Sequence, residues 1–257
     1  MRILFTVMFC LLPGLVRADC VVLLHGLART ESSFSVMEQV FRAHDFDVVR
    51  PGYPSTDLPI PDLAAQTLPD AYAACGDQTV HFVSHSLGGI LIRQWLQDAT
   101  PERLGRVVML GPPNQGSELV DELGDWEVFG LLNGPAGLAL GTDPGSVPRR
   151  LPPVDFELGI IAGNRSLNPV FSAIIPGTDD GKVSVASTFV EGMKAHITLP
   201  VTHTFMMNNP WVMAEALHFI ETGRFEPNMT WGQSVRITID ELCLLGDCDA
   251  PHSEPTQ

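Results

Sequence analysis

Six short apolar runs, separated by segments of helical periodicity, constrain the fold of this chain more than any other feature. They are CVVLLH (20–25), DVVR (47–50), TVHFVS (79–84), RVVMLG (106–111), ELGIIAG (157–163) and HITLP (196–200). Each is rich in β-branched residues and nearly continuous in apolar character. A strand that is wet on one face alternates instead, so these runs fit strands buried on both faces. Between them, residues 33–44 place Phe34, Met37, Val40 and Phe41 on one helical face, and residues 87–99 group Leu87, Ile90, Leu91 and Trp95. Residues 209–223 carry Asn209 as N-cap, Pro210 at the first helical position and Gly223 as stop, with Met213, Leu217 and Ile220 as the buried stripe. Ser35 and Glu38 have capping-box spacing, although the helix start can lie a turn earlier. Strand and helix in alternation predict an α/β fold with a mostly parallel sheet of about six strands and crossover helices.

The chain of 257 residues fits one large domain. Residues 1–18 read as a signal peptide: Arg2 supplies the positive start, Ile3 to Leu12 the apolar stretch, and Val16-Arg17-Ala18 small residues at −3 and −1 of a cut before Asp19. The alternative is a buried first strand. Acylation at Cys20 is disfavoured because Asp19 stands where a small residue is needed. The apolar stretch is too short for a stable membrane span, and no second run of about 18 apolar residues is present. The main folded domain is therefore expected over 19–225 of an exported, periplasmic or secreted protein. Residues 226–257 are left as a C-terminal extension in which 234–244 is a possible strand and 250–257 a disordered tail.

Loss of Arg2 and Arg17 with the signal takes the net charge from −15 to −17. So acidic a protein, with no Lys/Arg-rich patch, is not expected to bind nucleic acid or anionic lipid. Of five cysteines, Cys10 leaves with the signal, and four in an exported chain suggest disulfides. Cys243 and Cys248 enclose the turn-like LLGD. That leaves Cys20 and Cys75, each next to a predicted strand. Four free buried thiols are the alternative.

The stretch 112–155, rich in Gly and Pro, carries the apolar insert FGLLNGPAGLAL (129–140). It reads either as a small cap over a site or as an ordinary connection with a core-packing segment. The chemistry is carried by four other pieces. In HFVSHSLGG (81–89), Ser86 follows a strand and opens a helix, the context of a nucleophile elbow Gly-x-Ser-x-Gly; Gly88 fits the second Gly, and Ser84 stands at the first. The Ser84 hydroxyl is expected to bond to a nearby backbone group. In LLHGLAR (23–29), His25-Gly26 marks a loop that lends an oxyanion N–H, assigned to Leu27, with the Leu87 N–H as the second donor. The His25 side chain is expected to brace that loop. PGTDDGKVSVAST (176–188) puts Asp180 before a Gly, which suits either an exposed carboxylate or a simple Asp-Gly turn. LPVTHTFMMNNP (199–210) puts His203 between the last strand and the last helix. A serine hydroxyl needs a histidine to take its proton and a carboxylate to orient that histidine. Ser86, Asp180 and His203 supply these groups, each after a strand.

The order Ser…Asp…His, with HGLARTESSF, SHSLGG, GPPNQGSE, DDGKVSVAST and THTFMMNNP…FIETGRF, resembles the exported bacterial lipase/esterase branch of the α/β-hydrolase superfamily over residues 21–225. The resemblance implies a three-layer α/β-hydrolase fold with Ser86 as nucleophile, His203 as base and Asp180 as orienter. It favours Asp180 over Asp179 because the acid of the family directly precedes the Gly, leaving Asp179 to a turn or loop hydrogen bond. Two departures stand out: Ser84 in place of Gly, and a sheet that begins at the His-Gly strand, as in minimal lipases. Asp62, Asp70 and Asp179 match no calcium-loop spacing and the eight histidines no zinc spacing, so neither metal nor cofactor is expected. The expected substrate is a small-molecule acyl ester or lipid. A thioesterase or amidase on the same site, and an acyl-ligand-binding protein without turnover, are the alternatives; a chaperone role for another exported lipase has no sequence feature in its favour. Oligomeric state is not encoded in any motif.

Overall fold

The structure, a computed structural model, describes residues 18–124 and 127–244, with side chains described for 18–124 and 133–238. The expected signal segment other than Ala18, the Cys243 side chain, Cys248 and the tail lie outside the described residues.

The six apolar runs form β1 (Cys20–Leu24), β2 (Asp47–Val49), β3 (Val80–His85), β4 (Leu104–Leu110), β5 (Leu158–Gly163) and β6 (Ala195–Leu199). Every pairing is parallel, in the order β2-β1-β3-β4-β5-β6. Side chains alternate between two buried layers. In β1, Cys20, Val22 and Leu24 join the core on one face, and Val21 and Leu23 the core on the other. This accounts for the unbroken apolar runs.

In chain order the helices are α1 (Ser35–Ala43), α2 (Ile60–Ala74), α3 (Leu87–Leu96), α4 (Glu118–Leu123), α5 (Glu127–Leu138), α6 (Val147–Arg150), α7 (Pro169–Ile174), α8 (Pro210–Thr222) and α9 (Trp231–Leu244). Helices α2 and α3 pack on one face of the sheet and α1 and α8 on the other, which gives three layers. Strand order reverses at β1, whose two neighbours are β2 and β3. In open α/β sheets the crevice at such a reversal, beyond the carboxyl ends of the strands, is where ligands bind.

Helix α8 is built as its sequence predicts. The Asn209 side chain accepts from the Trp211 N–H at 2.9 Å, and Gly223 closes the helix in the left-handed region at φ 74°. The capping box expected at Ser35 and Glu38 does not form. Winding starts earlier, in a 3-10 turn at Glu31–Phe34; Ser35 Oγ donates to Ser32 O at 2.8 Å, and Glu38 pairs with Arg42 and Arg50 at 3.0 and 2.8 Å.

The expected strand at 234–244 is instead helix α9, which packs against α8 and α1. Its β-branched residues misled, whereas TWGQ (230–233) forms a capping box: Gln233 Oε1 accepts from the Thr230 N–H at 2.7 Å, and Thr230 Oγ1 accepts from the Gln233 N–H at 3.3 Å. Ser234 and Thr238, one turn apart, are both fully buried.

The stretch 112–155 holds α4, α5 and α6. Arg93 of α3 fastens both ends of it. One nitrogen of its guanidinium donates to Asn114 O and Oδ1 at 3.2 and 3.1 Å, and another to Leu151 O and Pro152 O, both at 3.2 Å. Burial pushes Arg93 down to about 10. Past a kink at Gly134 (φ 61°), the stretch runs against the loops after β1 and β2. A Cβ on Gly134 would overlap Thr56 O, and one on Gly137 would lie 2.9 Å from Leu27 Cδ2.

Candidate active site

Ser86 occupies the one-residue turn between β3 and α3 with φ 51° and ψ −118°, a region that L-residues populate rarely and at a cost of about 1–3 kcal/mol. Its N–H donates to Leu110 O at 2.9 Å, which ties the turn to the end of β4. So sharp a turn brings α3 down onto the end of β1. A Cβ on Gly88 would lie 2.7 Å from Leu24 O and 2.9 Å from His25 O, closer than those backbone atoms permit. The loop after β1 reaches the same turn: a Cβ on Gly26 would lie 3.3 Å from Ser86 Cβ.

His25 is fully buried beneath that loop. Its Nδ1–H donates to Gly26 O at 2.9 Å and its Nε2 accepts from the Tyr53 N–H at 3.4 Å. The Tyr53 ring stacks on it at 3.8 Å, and the Tyr53 hydroxyl donates to His25 O. Burial, outweighing the bond to Gly26, lowers its affinity for a proton and keeps the ring neutral. Leu27 follows at the mouth of the loop. Next to it, Ala28 takes φ 51° and donates its N–H to Ser55 Oγ at 3.0 Å.

The last two loops meet as an acid and a base. His203 Nδ1 lies 2.7 Å from Asp180 Oδ2, and the His203 N–H donates to Asp180 O at 2.9 Å. The other carboxylate oxygen, Asp180 Oδ1, accepts from the Lys182 and Val183 N–H groups at 3.0 and 2.8 Å. Both residues are buried, at 2% and 4% relative exposure. A carboxylate only accepts, so Nδ1 of His203 carries a hydrogen, which in the neutral ring leaves the lone pair on Nε2. The neighbouring Asp179 makes a local turn instead: its Oδ1 accepts from Ser172 Oγ at 2.8 Å and the Gly181 N–H at 2.7 Å. Arg29 donates to Thr204 O at 2.9 Å and joins the β1 loop to the His203 loop.

Residues 21–228 match the alpha/beta hydrolase family. The chain belongs to that family. Solved structures with the same fold include a Bacillus licheniformis lipase in its mature form (TM-score 0.61, 20% identity, 82% of this chain and 94% of that one). A Legionella pneumophila phospholipase (TM-score 0.62, 17% identity) covers 87% of this chain and 63% of that one. A metagenomic carboxyl esterase has TM-score 0.59 and 16% identity, over 88% of this chain and 76% of that one. No curated protein sequence matches significantly.

Within this hydrolase, three residues at the site are not singled out by their sequence. Gly111 directly follows β4 with φ 53°, and a Cβ there would lie 3.0 Å from Asp180 Oδ2 and 3.1 Å from His203 Nδ1. Its signal is the LGPP ending of the strand. His85, in the variable position of the elbow, is 2% exposed and donates from Nε2 to His203 O at 2.9 Å. Arg93 becomes legible only once 112–155 folds back over α3.

The expectation for the Ser84 hydroxyl is overturned. Ser84 is fully buried between Leu24 of β1 and Met109 of β4, and among the described residues its Oγ has no hydrogen-bond partner. Its register partners on the two adjoining strands, Leu24 and Met109, offer no side-chain hydrogen-bond partner. An unpaired buried hydroxyl carries a desolvation penalty of about 1–3 kcal/mol. Ser84→Ala is therefore expected to hold or raise the melting temperature. A clear loss of stability in a thermal melt would contradict this.

Proposed function

We propose that the protein is a serine hydrolase that cleaves carboxylic esters through an acyl-enzyme, with Ser86 as nucleophile, His203 as base and Asp180 as orienter. The observation that carries this reading is the buried 2.7 Å contact between His203 Nδ1 and Asp180 Oδ2, beside which stands a serine held at φ 51° in the turn after β3. In the proposed reaction, His203 Nε2 takes the Ser86 proton as Oγ attacks the ester carbonyl. The Leu27 and Leu87 N–H groups receive the oxyanion, and Asp180 balances the imidazolium. That imidazolium then protonates the leaving alkoxide, and water repeats the sequence to release the acid. No step calls for a metal or cofactor.

Esters, rather than thioesters or amides, are favoured by the names of the structural neighbours, a lipase, a phospholipase and a carboxyl esterase. We assign the catalytic domain to 19–225, the signal to 1–18 and the cap to 112–155, with Gly134 and Gly137 seated beside the β1 and β2 loops. Export is supported by the disulfide between Cys20 and Cys75 (Cα–Cα 5.8 Å), because such bonds persist in oxidising compartments. Among the described residues, no helix is long and apolar enough to cross a membrane.

A series of p-nitrophenyl esters from acetyl to palmitoyl tests substrate class. Turnover that persists into medium and long chains is expected. A sharp acetyl preference would contradict the lipase reading, and no turnover of any ester would contradict ester hydrolysis altogether.

A further inference from the structure

We propose that His85 is a positioning residue, holding the main chain of His203 so that the His203 imidazole stays aligned between Asp180 and Ser86. This rests on the assignment of Ser86, His203 and Asp180 made above.

The geometry is specific. The His203 backbone is held at both polar atoms: its N–H donates to Asp180 O at 2.9 Å, and its C=O accepts from His85 Nε2 at 2.9 Å. With Nδ1 tied to Asp180 Oδ2 at 2.7 Å, three of the four polar atoms of His203 are fixed, leaving Nε2 for the serine. The His85 ring lies against the His203 ring, centroids 4.6 Å apart and planes inclined by 51°. The opposite edge of His85 touches the oxyanion-side loop, where a Cβ on Gly26 would lie 2.6 Å from His85 Nδ1. One side chain, directly before Ser86 in sequence, thus contacts the β1 loop and the base.

A histidine suits this position only while neutral. A carbonyl accepts and never donates, so Nε2 carries the hydrogen; Nδ1 is buried and has no partner among the described residues. Burial pushes His85 well below the ordinary histidine range, with further lowering from His203, Arg29 and Lys182, against the opposing bond to the His203 carbonyl. A charge on His85 would disfavour the imidazolium that His203 must become during the reaction. The neutral ring supplies a donor to the His203 main chain without that repulsion. Met or Leu would fill the space but donate nothing. Gln places an amide nitrogen near the position of Nε2 and carries no charge.

The test compares His85→Gln and His85→Met with wild type on a p-nitrophenyl ester. Met should lower kcat by about 10- to 100-fold with KM changed by less than about twofold, because misplacement of a reacting group acts on the chemical step. Gln should restore kcat to within about fivefold of wild type. Equal kcat in Met and wild type, or equal losses in Met and Gln, would overturn the proposal. Should the Met variant not fold, nitrogen-15 histidine NMR of the wild type decides. A neutral Nε2–H tautomer for His85 from pH 5 to 8 supports the proposal, and an Nδ1–H tautomer or a charged ring overturns it. A wild type without ester turnover contradicts the triad assignment instead, and the tautomer of His85 still tests the placement.

Discussion

Asp180→Asn should lower kcat for ester hydrolysis about ten-thousand-fold, the scale seen when a serine triad loses the carboxylate that sets its histidine tautomer. The hydrogen bonds say why so small a change matters. Asp180 Oδ1 accepts from two backbone N–H groups, of Lys182 and Val183, while Oδ2 faces His203 Nδ1. An asparagine has one oxygen and one NH2. The two backbone donors claim the oxygen, so the NH2 must face His203 and donate to Nδ1. The histidine hydrogen then moves to Nε2, and the ring can no longer take the Ser86 proton as the proposed mechanism requires. Asp179→Asn is the control. Asp179 Oδ1 accepts from Ser172 Oγ and the Gly181 N–H, roles that an amide oxygen can fill, so kcat should stay within about threefold of wild type. Steady-state kinetics on one ester, beside thermal melts, separates the two. Equal losses in both variants would mean that the site does not distinguish the adjacent carboxylates.

Removing the Cys20–Cys75 disulfide should lower the melting temperature by roughly 8–16 °C without changing the site. The bond joins residues 55 apart in sequence, from the first residue of β1 to the end of α2. Closing a loop of that size in the unfolded chain is worth about 4 kcal/mol in the chain-entropy account. For a domain of this length, each kcal/mol shifts the midpoint by roughly 2–4 °C. Both cysteines are buried, at 1% and 2% relative exposure, so Cys20→Ala with Cys75→Ala is the appropriate variant rather than a reductant. Differential scanning calorimetry measures the shift, and kcat at 25 °C should be unchanged. An unchanged midpoint would show that the cross-link contributes nothing to stability.

The sheet was legible because strands buried on both faces must be apolar throughout, and each of the six strands falls on one such run. Helix α8 was legible from its own punctuation at Asn209, Pro210 and Gly223. Helix α2 was not, because Pro61 and Pro69 break its pattern; Pro61 sits harmlessly in the first turn, but Pro69 lies inside the helix. There, burial of Ile60, Leu63, Leu68 and Ala71 against the sheet overrides the local preference. Helix α9 was misread because Val, Ile and Thr suggest a strand, whereas a helical face against α1 and α8 was the surface available for them. Asp180 and His203 could be proposed from order alone. Their 2.7 Å pairing joins loops 23 residues apart in sequence, and the contact of His85 with the His203 carbonyl spans 118 residues, which no local pattern encodes. Ser84 shows the limit in the other direction: a hydroxyl suggests a hydrogen bond, yet strand register places it between two apolar side chains.

Reaction with a fluorophosphonate, followed by intact mass and peptide mapping, tests the central claim most directly, because the reagent traps an activated serine without assuming any natural substrate. Wild type should gain one adduct, located on Ser86. Ser86→Ala should melt as the wild type does and gain none. A folded wild type that stays unlabelled, or a Ser86→Ala protein labelled at the wild-type rate, would contradict the assignment of Ser86 as nucleophile.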